Sequence, residues 1–382
     1  MQNNFTVFQV WGIPIRVNVS LLVFLPILVW LVGSGEQISA YVSLIDALTP
    51  ATVDPAALSG SNDRWIIGAG AAVALFGSVA VHELGHAWAA MRYDIETESI
   101  TLWILGGLAD LAEMPKEWNR ELWIAVAGPI TSVLLGLSAV AALAVIPSSA
   151  TRVVFLVGFV AVMNIVLAIF NMVPAFPMDG GRVLRALLAR RRSYVKATQT
   201  AARIGTYFAL LFAVFGIVVV FSPILLLLAA FIYVAATSES RSVLVGELLS
   251  GLSVSDLIAD YEAVPADVTV ADLFDRLLGA RRTDLAVVDK DGTVVGAVTA
   301  STLRTVPTQE YETTTVGSIA TTDLPRFDSG TSAFDALSEL TGSRRNVAIV
   351  ERDGAAVGLV SREDFNDVLA LRRNTAAVSR GR

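Results

Sequence analysis

Two histidines and a glutamate stand inside a long apolar stretch of this chain. The segment VHELGH lies within an apolar run from Trp65 to Met91. His82 and His86 are four residues apart, so on a helix they share one face, about one turn from each other. In the H-E-x-x-H spacing two imidazoles can bind Zn²⁺, while the glutamate, here Glu83, acts as a general base on water. The spacing therefore predicts a catalytic zinc site.

The alternative is that these are buried polar side chains satisfied by neighbouring helices. Against it, the chain has only two histidines and both are here. An ionisable group within a membrane span also costs about 2.5–3.5 kcal/mol on insertion scales, so three such groups need a compensating partner. A metal ion is a suitable partner.

Two histidines leave zinc without a third protein ligand. The chain has no cysteine and no further histidine, so the third ligand must be a carboxylate. Asp179 is the best candidate, because it stands in FNMVPAFPMDGGR, where prolines break a helix and two glycines let the backbone turn. A helix-ending loop with a capping aspartate is the alternative for this stretch.

Composition divides the chain into an apolar and a charged part. Hydrophobic residues make up 54% of the 382 residues, and the mean hydropathy is +0.63, which is typical of proteins with several membrane spans. Residues 1–240 hold 27 charged side chains, whereas the shorter segment 241–382 holds 36. We therefore expect a membrane domain followed by a soluble domain. The soluble part has 15 basic and 21 acidic residues, which argues against a nucleic-acid partner.

Six segments are apolar and long enough to cross about 30 Å of hydrocarbon. They cover about residues 17–35, 65–91, 121–146, 152–173, 203–221 and 223–237. With the N-terminus inside, 11 of the 13 basic residues in 1–240 fall on the inner side. This bias predicts a multi-pass protein of the plasma membrane with its N-terminus and its soluble part in the cytosol.

A second motif carries a family resemblance. The stretch from Asn171 to Gly180 reads N-M-V-P-A-F-P-M-D-G and matches the pattern N-x-x-P-x-x-x-x-D-G at every fixed position. Together with the H-E-x-x-H segment it resembles the site-2 protease family of intramembrane zinc metalloproteases, over the whole chain. One position departs from that family: Ser132 stands where relatives often have asparagine.

The resemblance implies a role for each of these residues. It implies one zinc ion bound by His82, His86 and Asp179. Glu83 would be the base that activates water and carries the proton to the leaving amine. Asn171 would hold the substrate or polarise the scissile carbonyl.

Residues 99–109, SITLWILGGLA, alternate in polarity and contain Gly106 and Gly107. The pattern predicts a hairpin and resembles the β-ribbon near the active site of that family. An unpaired strand edge could pair with an extended substrate, so we assign both glycines to substrate binding. A simple surface hairpin is the alternative.

An internal repeat occupies the soluble part. Segments starting at Ala271 and Ala333 each read helix, strand, D-G turn, strand, helix. This α/β repeat resembles a tandem pair of CBS domains, at about 250–307 and 314–373, which often bind adenine nucleotides. The family's Ser/Thr-x-x-Asp pattern is complete at Ser361 and Asp364. In the first copy Thr299 is present but the carboxylate is missing. A packing or dimerisation module without a ligand is the alternative.

The leading hypothesis is an intramembrane zinc metalloprotease with six spans and a regulatory CBS pair. It would hydrolyse a peptide bond in or near the transmembrane segment of another membrane protein, for example a regulator resembling an anti-sigma factor. The resemblance also implies association of the CBS domains into a homodimer. The alternative is a divalent metal transporter or channel gated by CBS domains. It is disfavoured because, apart from the one site, the spans carry almost no charge.

Overall fold

The computed structural model describes residues 4–58, 60, 62–112, 115–258, 263–277, 284–343 and 345–380. The chain forms two compact units, Met1–Arg241 and Ser242–Arg382. The first is mostly helical and the second alternates short strands and helices.

Eight helices account for most of the first unit. They are α1 (Val19–Val32), α2 (Gly35–Leu48), α3 (Asp63–Met91), α4 (Trp118–Leu143), α5 (Thr151–Asn171), α6 (Asp179–Ala189), α7 (Tyr194–Val218) and α8 (Pro223–Leu249). In the described part of the chain, five of them are long and apolar enough to cross a membrane: α3, α4, α5, α7 and α8. The protein is therefore a membrane protein.

The first expected span differs from the straight helix predicted over residues 17–35. Helix α1 has 14 residues, which at about 1.5 Å per residue is too short for about 30 Å of hydrocarbon. A bend of 76° separates Val19–Val32 from Gln37–Leu48, and this bent pair gives a sixth span if it is counted as one. At the bend, a Cβ on Gly33 would lie 2.6 Å from the carbonyl oxygen of Arg64, so α1 and α3 are in close backbone contact there.

Two other spans, α7 and α8, each extend beyond one end of their predicted apolar windows. Helix α7 begins at Tyr194 rather than near residue 203, and α8 ends at Leu249 rather than near residue 237. Charged residues occupy these extra turns, and a hydropathy window cannot see a helix that leaves the apolar layer.

A four-stranded sheet accompanies the helices of the first unit. Its strands are β1 (Asn4–Val10), β2 (Ile13–Asn18), β3 (Thr97–Trp103) and β4 (Gly106–Leu111), in that order across the sheet. The predicted β3–β4 hairpin is antiparallel and pairs Trp103 with Gly106, while β2 and β3 are parallel. Strand β4 forms one edge of this sheet.

Strands β1 and β2 were not predicted from the sequence. Their connection is the dipeptide Trp11–Gly12, in which both residues have positive φ, 54° and 82°. Two positive φ values match the two-residue hairpin turn that follows the natural twist of strands. The run of aromatic and β-branched residues on both sides of this dipeptide is the signal that could have identified the hairpin.

The second unit contains the predicted repeat. Its elements are β5 (Ala263–Pro265), α9 (Val270–Leu277), β6 (Leu285–Val288), β7 (Val294–Val298), α10 (Ala300–Leu303), α11 (Val316–Ile319), β8 (Arg326–Asp328), α12 (Ala333–Gly342), β9 (Val347–Arg352), β10 (Ala355–Ser361) and α13 (Arg362–Arg380). In each copy the first strand is parallel to the second, and the second and third form a hairpin. Gly292 and Gly354 both have a φ of 79° in the hairpin turns, as the repeated D-G signal predicts.

Candidate metal centre and active site

Helices α3 and α6 bring three candidate metal ligands together. His82 and His86 lie one turn apart on α3, and Asp179 is the first residue of α6. The Oδ2 atom of Asp179 is 3.1 Å from Nε2 of His82 and 3.1 Å from Nε2 of His86, and the two Nε2 atoms are 3.2 Å apart. All three residues are buried. This is the one group of at least three His, Cys, Asp or Glu ligand atoms in metal-binding proximity that the described residues contain.

The spacing of these three atoms fits a tetrahedral zinc site. With zinc–ligand bonds of about 2.0–2.1 Å, tetrahedral ligands lie about 3.3–3.4 Å from one another. The observed separations of 3.1–3.2 Å are close to that value. Two imidazoles and one carboxylate are also the ligand set of catalytic zinc sites that leave a fourth position for water. The residues present therefore fit a zinc ion.

Hydrogen bonds to the other ring nitrogens orient both imidazoles. Nδ1 of His86 lies 2.7 Å from the carbonyl oxygen of Ile124. Because a carbonyl can only accept, Nδ1 of His86 donates, and in the neutral ring the lone pair is then on Nε2, which faces the ligand cluster. Nδ1 of His82 lies 2.9 Å from Oγ of Ser132. Both partners belong to α4, so this helix sets the orientation of the ligands on α3.

A glycine of α4 makes room for the ligand nitrogens. A Cβ on Gly128 would lie 2.7 Å from Nε2 of His82 and closer still to Nε2 of His86. Neither the role of Gly128 nor that of the Ile124 carbonyl was predicted from the sequence. The A-G-P triplet around Gly128 is a weak signal for the former, and a backbone carbonyl has no signal in the sequence.

The loop before α6 places Asp179 at the end of its helix. Pro174 and Pro177 stop the preceding helix, and Asp179 then occupies the first turn of α6, where the helix dipole favours a carboxylate. The loop folds closely over this turn, because a Cβ on Gly181 would lie 2.7 Å from the backbone of Ala175. Burial by itself would raise the pKa of the Asp179 carboxyl, but His86 and His82 lower it well below its usual value. An ionised carboxylate is the form in which an aspartate binds a metal ion.

The predicted catalytic and substrate-binding residues surround one cavity of about 240 Å³. Its polar lining consists of His82, Glu83 and Asn171 together with the backbone of Gly106 and Gly107. Its remaining lining is apolar: Val79, Trp103, Leu105, Leu108, Leu167, Phe170, Pro177, Met178 and Phe231. Helices α3, α5 and α8, strands β3 and β4, their turn and the loop before α6 thus meet around the same space.

The β3–β4 hairpin lies directly against the glutamate. A Cβ on Gly107 would lie 2.8 Å from Oε1 of Glu83, so the backbone of β4 approaches the carboxylate as closely as glycine allows. Gly106 has a φ of 139°, a conformation that other residues rarely adopt. The Gly-Gly pair therefore serves both the turn and the approach to Glu83.

The second unit places its predicted ligand residues in different surroundings. Oδ2 of Asp364 accepts hydrogen bonds from the backbone N–H of Ser361, at 2.8 Å, and from its Oγ, at 2.9 Å, and both residues are buried. Thr299 instead lines a cavity of about 350 Å³. The polar side chains in its lining are Thr299, Thr302, Thr305, Thr321, Arg345 and Asn346, and neither Ser361 nor Asp364 is among its lining residues.

Two family models match the chain. The model of peptidase family M50 matches residues 70–150 and 144–214, which include both motifs of the metal centre. The model of the CBS domain matches residues 254–307 and 316–371, in the second unit.

The chain is also similar to individual proteins. It is 34% identical to the protein Rip3 of Mycobacterium tuberculosis over 81% of this chain and 82% of that protein. It is 29% identical to the zinc metalloprotease MJ0392 of Methanocaldococcus jannaschii over 78% of each chain. The solved structure of the site-2 protease from Methanocaldococcus jannaschii is 31% identical and covers 62% of this chain and 95% of its own, with a TM-score of 0.44.

Proposed function

This chain belongs to peptidase family M50, the site-2 protease family of zinc metalloproteases, and from that premise we propose that it cleaves other membrane proteins in or near a transmembrane segment. The observation that carries the proposal is the position of the ligand cluster. His82 and His86 lie on a helix apolar enough to cross a membrane, and the cavity beside them is largely apolar. Such a cavity suits an apolar peptide segment rather than a soluble one.

Three residues would hold the zinc ion, and the rest of the site would act on the substrate. His82, His86 and Asp179 are the proposed ligands. Bound zinc supplies Lewis acidity and lowers the pKa of a coordinated water to about 7. Glu83 lines the same cavity, so its carboxylate is placed to take the proton of the attacking water and to deliver it to the leaving amide nitrogen. The amide of Asn171 can donate a hydrogen bond to the scissile carbonyl.

The substrate would bind as an added strand. Strand β4 is at an edge of its sheet and its first residues line the cavity. Backbone N–H and C=O groups at such an edge can pair with an extended peptide. Pairing there would place the peptide beside Glu83, because Gly107 is in contact with that side chain. A transmembrane helix must unwind to pair in this way, which favours substrates with helix-breaking residues near the cut.

The CBS pair would regulate the protease through an adenine nucleotide. The cavity that Thr299 lines offers several hydroxyl groups and the cation of Arg345, which suit phosphate oxygens. Ser361 and Asp364 form the complete motif of the second copy. They would bind a second nucleotide only if Asp364 gave up its hydrogen bonds with Ser361 for bonds to the ligand. Titration of ATP into the full chain tests this: Thr299→Val is expected to weaken binding, and Thr313→Val, at an exposed position, is not.

Location and partners are part of the same proposal. The N-terminus and the CBS domains would lie in the cytosol of a plasma-membrane protein, as the distribution of basic residues suggests. The substrate would be a membrane-anchored regulator resembling an anti-sigma factor. The CBS domains would pair two copies of the chain, and nucleic acid would not be a partner, given the net acidic soluble part.

Replacement of the glutamate tests the activity. A full chain with Glu83→Gln, reconstituted with a single-span substrate, is expected to lose cleavage while it keeps its zinc. Glu98→Gln, at an exposed position on β3, is the matched control and is expected to cleave normally. Cleavage by Glu83→Gln would refute the role of Glu83. Zinc flux into the same vesicles without cleavage would instead support a transporter.

A further inference from the structure

A buried ion cluster includes a residue of α6, the helix that begins with Asp179, and it has no part in the proposed cleavage. Arg185 of α6 is fully buried, and its Nε and Nη2 atoms both lie 2.6 Å from Oε1 of Glu121, a fully buried residue in the first turn of α4. Nη1 of Arg185 also donates to Oε1 of Glu239 on α8, whose side chain is 34% exposed. The three charges thus join three helices.

Two aromatic rings complete the surroundings of the guanidinium. Its central carbon lies 5.0 Å from the ring centre of Phe176 and 4.9 Å from that of Tyr194. Phe176 belongs to the loop that leads into Asp179, and Tyr194 begins α7. Rings at this distance attract a cation and fix its plane. Arg185 therefore contacts two carboxylates and two aromatic rings, and one of these rings belongs to the loop that leads into Asp179.

Arg185 and Asp179 are connected through the backbone of α6. Both residues belong to α6, six positions apart, which is about 9 Å along a helix. Over that distance a tilt of about 2° about Arg185 moves Asp179 by about 0.3 Å, which already exceeds the tolerance of about 0.2 Å in metal–ligand distances.

We propose that Arg185 is a positioning residue, which through Glu121 and Glu239 fixes the orientation of α6 and so holds Asp179 at the distance that the metal requires. The inference rests on the proposed role of Asp179 as a ligand. Glu121 ties α6 to α4, the helix that also orients the two imidazoles. Glu239 ties α6 to α8, so the position of α8 influences the geometry of the metal centre.

Metal binding by the purified full chain tests the proposal. Arg185→Lys keeps the charge but not the fork of donors, and we expect it to weaken Zn²⁺ binding about tenfold in chelator competition, the lower end of the range for residues that support metal ligands. The visible spectrum of the Co²⁺-loaded protein, which reports ligand geometry, is expected to change as well. Arg191→Lys, at an exposed position just beyond α6, is the control and is expected to change neither.

Two further variants keep the outcome decisive. If Arg185→Lys does not fold, the pair Arg185→Met and Glu121→Gln, which removes both buried charges, is expected to fold and to show the same loss of zinc affinity. An unchanged affinity and Co²⁺ spectrum in the folded variant, even with a lower melting temperature, would overturn the positioning role. Asp179→Asn separates the two proposals: if it keeps full zinc affinity, the ligand assignment fails and this inference with it, whereas a loss in Asp179→Asn alone overturns only the inference.

Discussion

Replacement of Gly128 by alanine is the most direct test of the metal centre's packing. The added Cβ would lie 2.7 Å from Nε2 of His82 and nearer still to His86, although side-chain carbons essentially never approach other atoms to within 3.0 Å. His82 would have to move by at least about 0.3 Å and His86 by more, and metal ligands tolerate about 0.2 Å. The carbon would also enter the space between the ligands.

Gly128→Ala is expected to lower both the stability of the fold and the affinity for zinc. Overpacking of a filled interior costs about 1–3 kcal/mol of folding free energy. Disturbance of groups that merely support metal ligands lowers metal affinity about 10–100-fold, so a direct collision with the ligand nitrogens should cost at least about 100-fold. Gly77→Ala is the control, since Gly77 lies in the same apolar helix as the histidines and a Cβ there has no other atom within 4 Å. It should leave zinc binding intact and raise stability by about 0.5–1 kcal/mol, the usual gain over glycine inside a helix.

Zinc content and affinity are the assay. Both variants are purified in a mild detergent, their bound zinc is measured by mass spectrometry of the elements, and the dissociation constant is obtained by chelator competition. Gly128→Ala should retain far less than one zinc per chain and should not cleave a substrate. If Gly128→Ala bound zinc as tightly as the parent chain, the close approach of α4 to the imidazoles would be refuted.

Three other outcomes are expected. Ser132→Ala removes the hydrogen bond to its histidine and should weaken zinc binding about tenfold in chelator competition, whereas Ser138→Ala, farther along α4, should not. Gly107→Ala would collide with Glu83, so kcat should fall with bound zinc retained; an unchanged kcat would contradict the contact. The backbone N–H and the hydroxyl of Ser253 donate hydrogen bonds to the carboxylate of Asp256 and lower its pKa. The stability that this carboxylate provides is therefore present above the ordinary pKa of 3.8 and is lost as the pH falls below it. Chemical unfolding should accordingly give a lower free energy of unfolding for Asp256→Asn than for the parent at pH 7, and the difference should shrink as the pH falls below 3.8. Equal stability at pH 7 would contradict a stabilising role for these hydrogen bonds.

The residues of the candidate metal centre could be selected largely from residue types and spacing. A four-residue interval on an apolar helix defines one face, and the absence of other histidines and of cysteines left a carboxylate as the third ligand. The structure places Asp179 3.1 Å from both imidazoles. The spacing of the histidines and the absence of other ligand types leave few possible sets of three ligands, so the set could be chosen from the sequence.

The features that were not predicted depend on contacts between residues far apart in the sequence, or on a helix too short to span a membrane. His86 is oriented by the backbone carbonyl of Ile124, which lies 38 residues away in the sequence. Any residue type has such a carbonyl, so the sequence gives no sign of it. Helix α6 is short and amphipathic, so a search for apolar spans reads it as a loop. The ion cluster of Arg185 joins residues that are 64 and 54 positions apart, which no local pattern encodes.

In the soluble part, the Ser-x-x-Asp motif and the cavity lined by Thr299 suggest different ligand sites. The complete Ser-x-x-Asp motif suggested a ligand site at Ser361 and Asp364, yet these two residues bond to each other at the start of α13. The same residue pattern serves as a helix cap, since an aspartate at the third position can reach back to the residue that precedes the helix. A nucleotide at either place stays a prediction that only binding measurements decide.

The candidate zinc ligands His86 and Asp179 are 93 residues apart in the sequence, and this separation affects how zinc would stabilise the protein in the cell. An ion that binds only the folded chain stabilises it by about 2.7 kcal/mol when the free ion concentration is about 100 times the dissociation constant. Chains inserted during zinc starvation would lack this link between α3 and α6, and two imidazoles and a carboxylate would stay buried in the protein without the cation. Membrane quality-control proteases would then remove them, so the cellular abundance of this enzyme should follow the zinc supply.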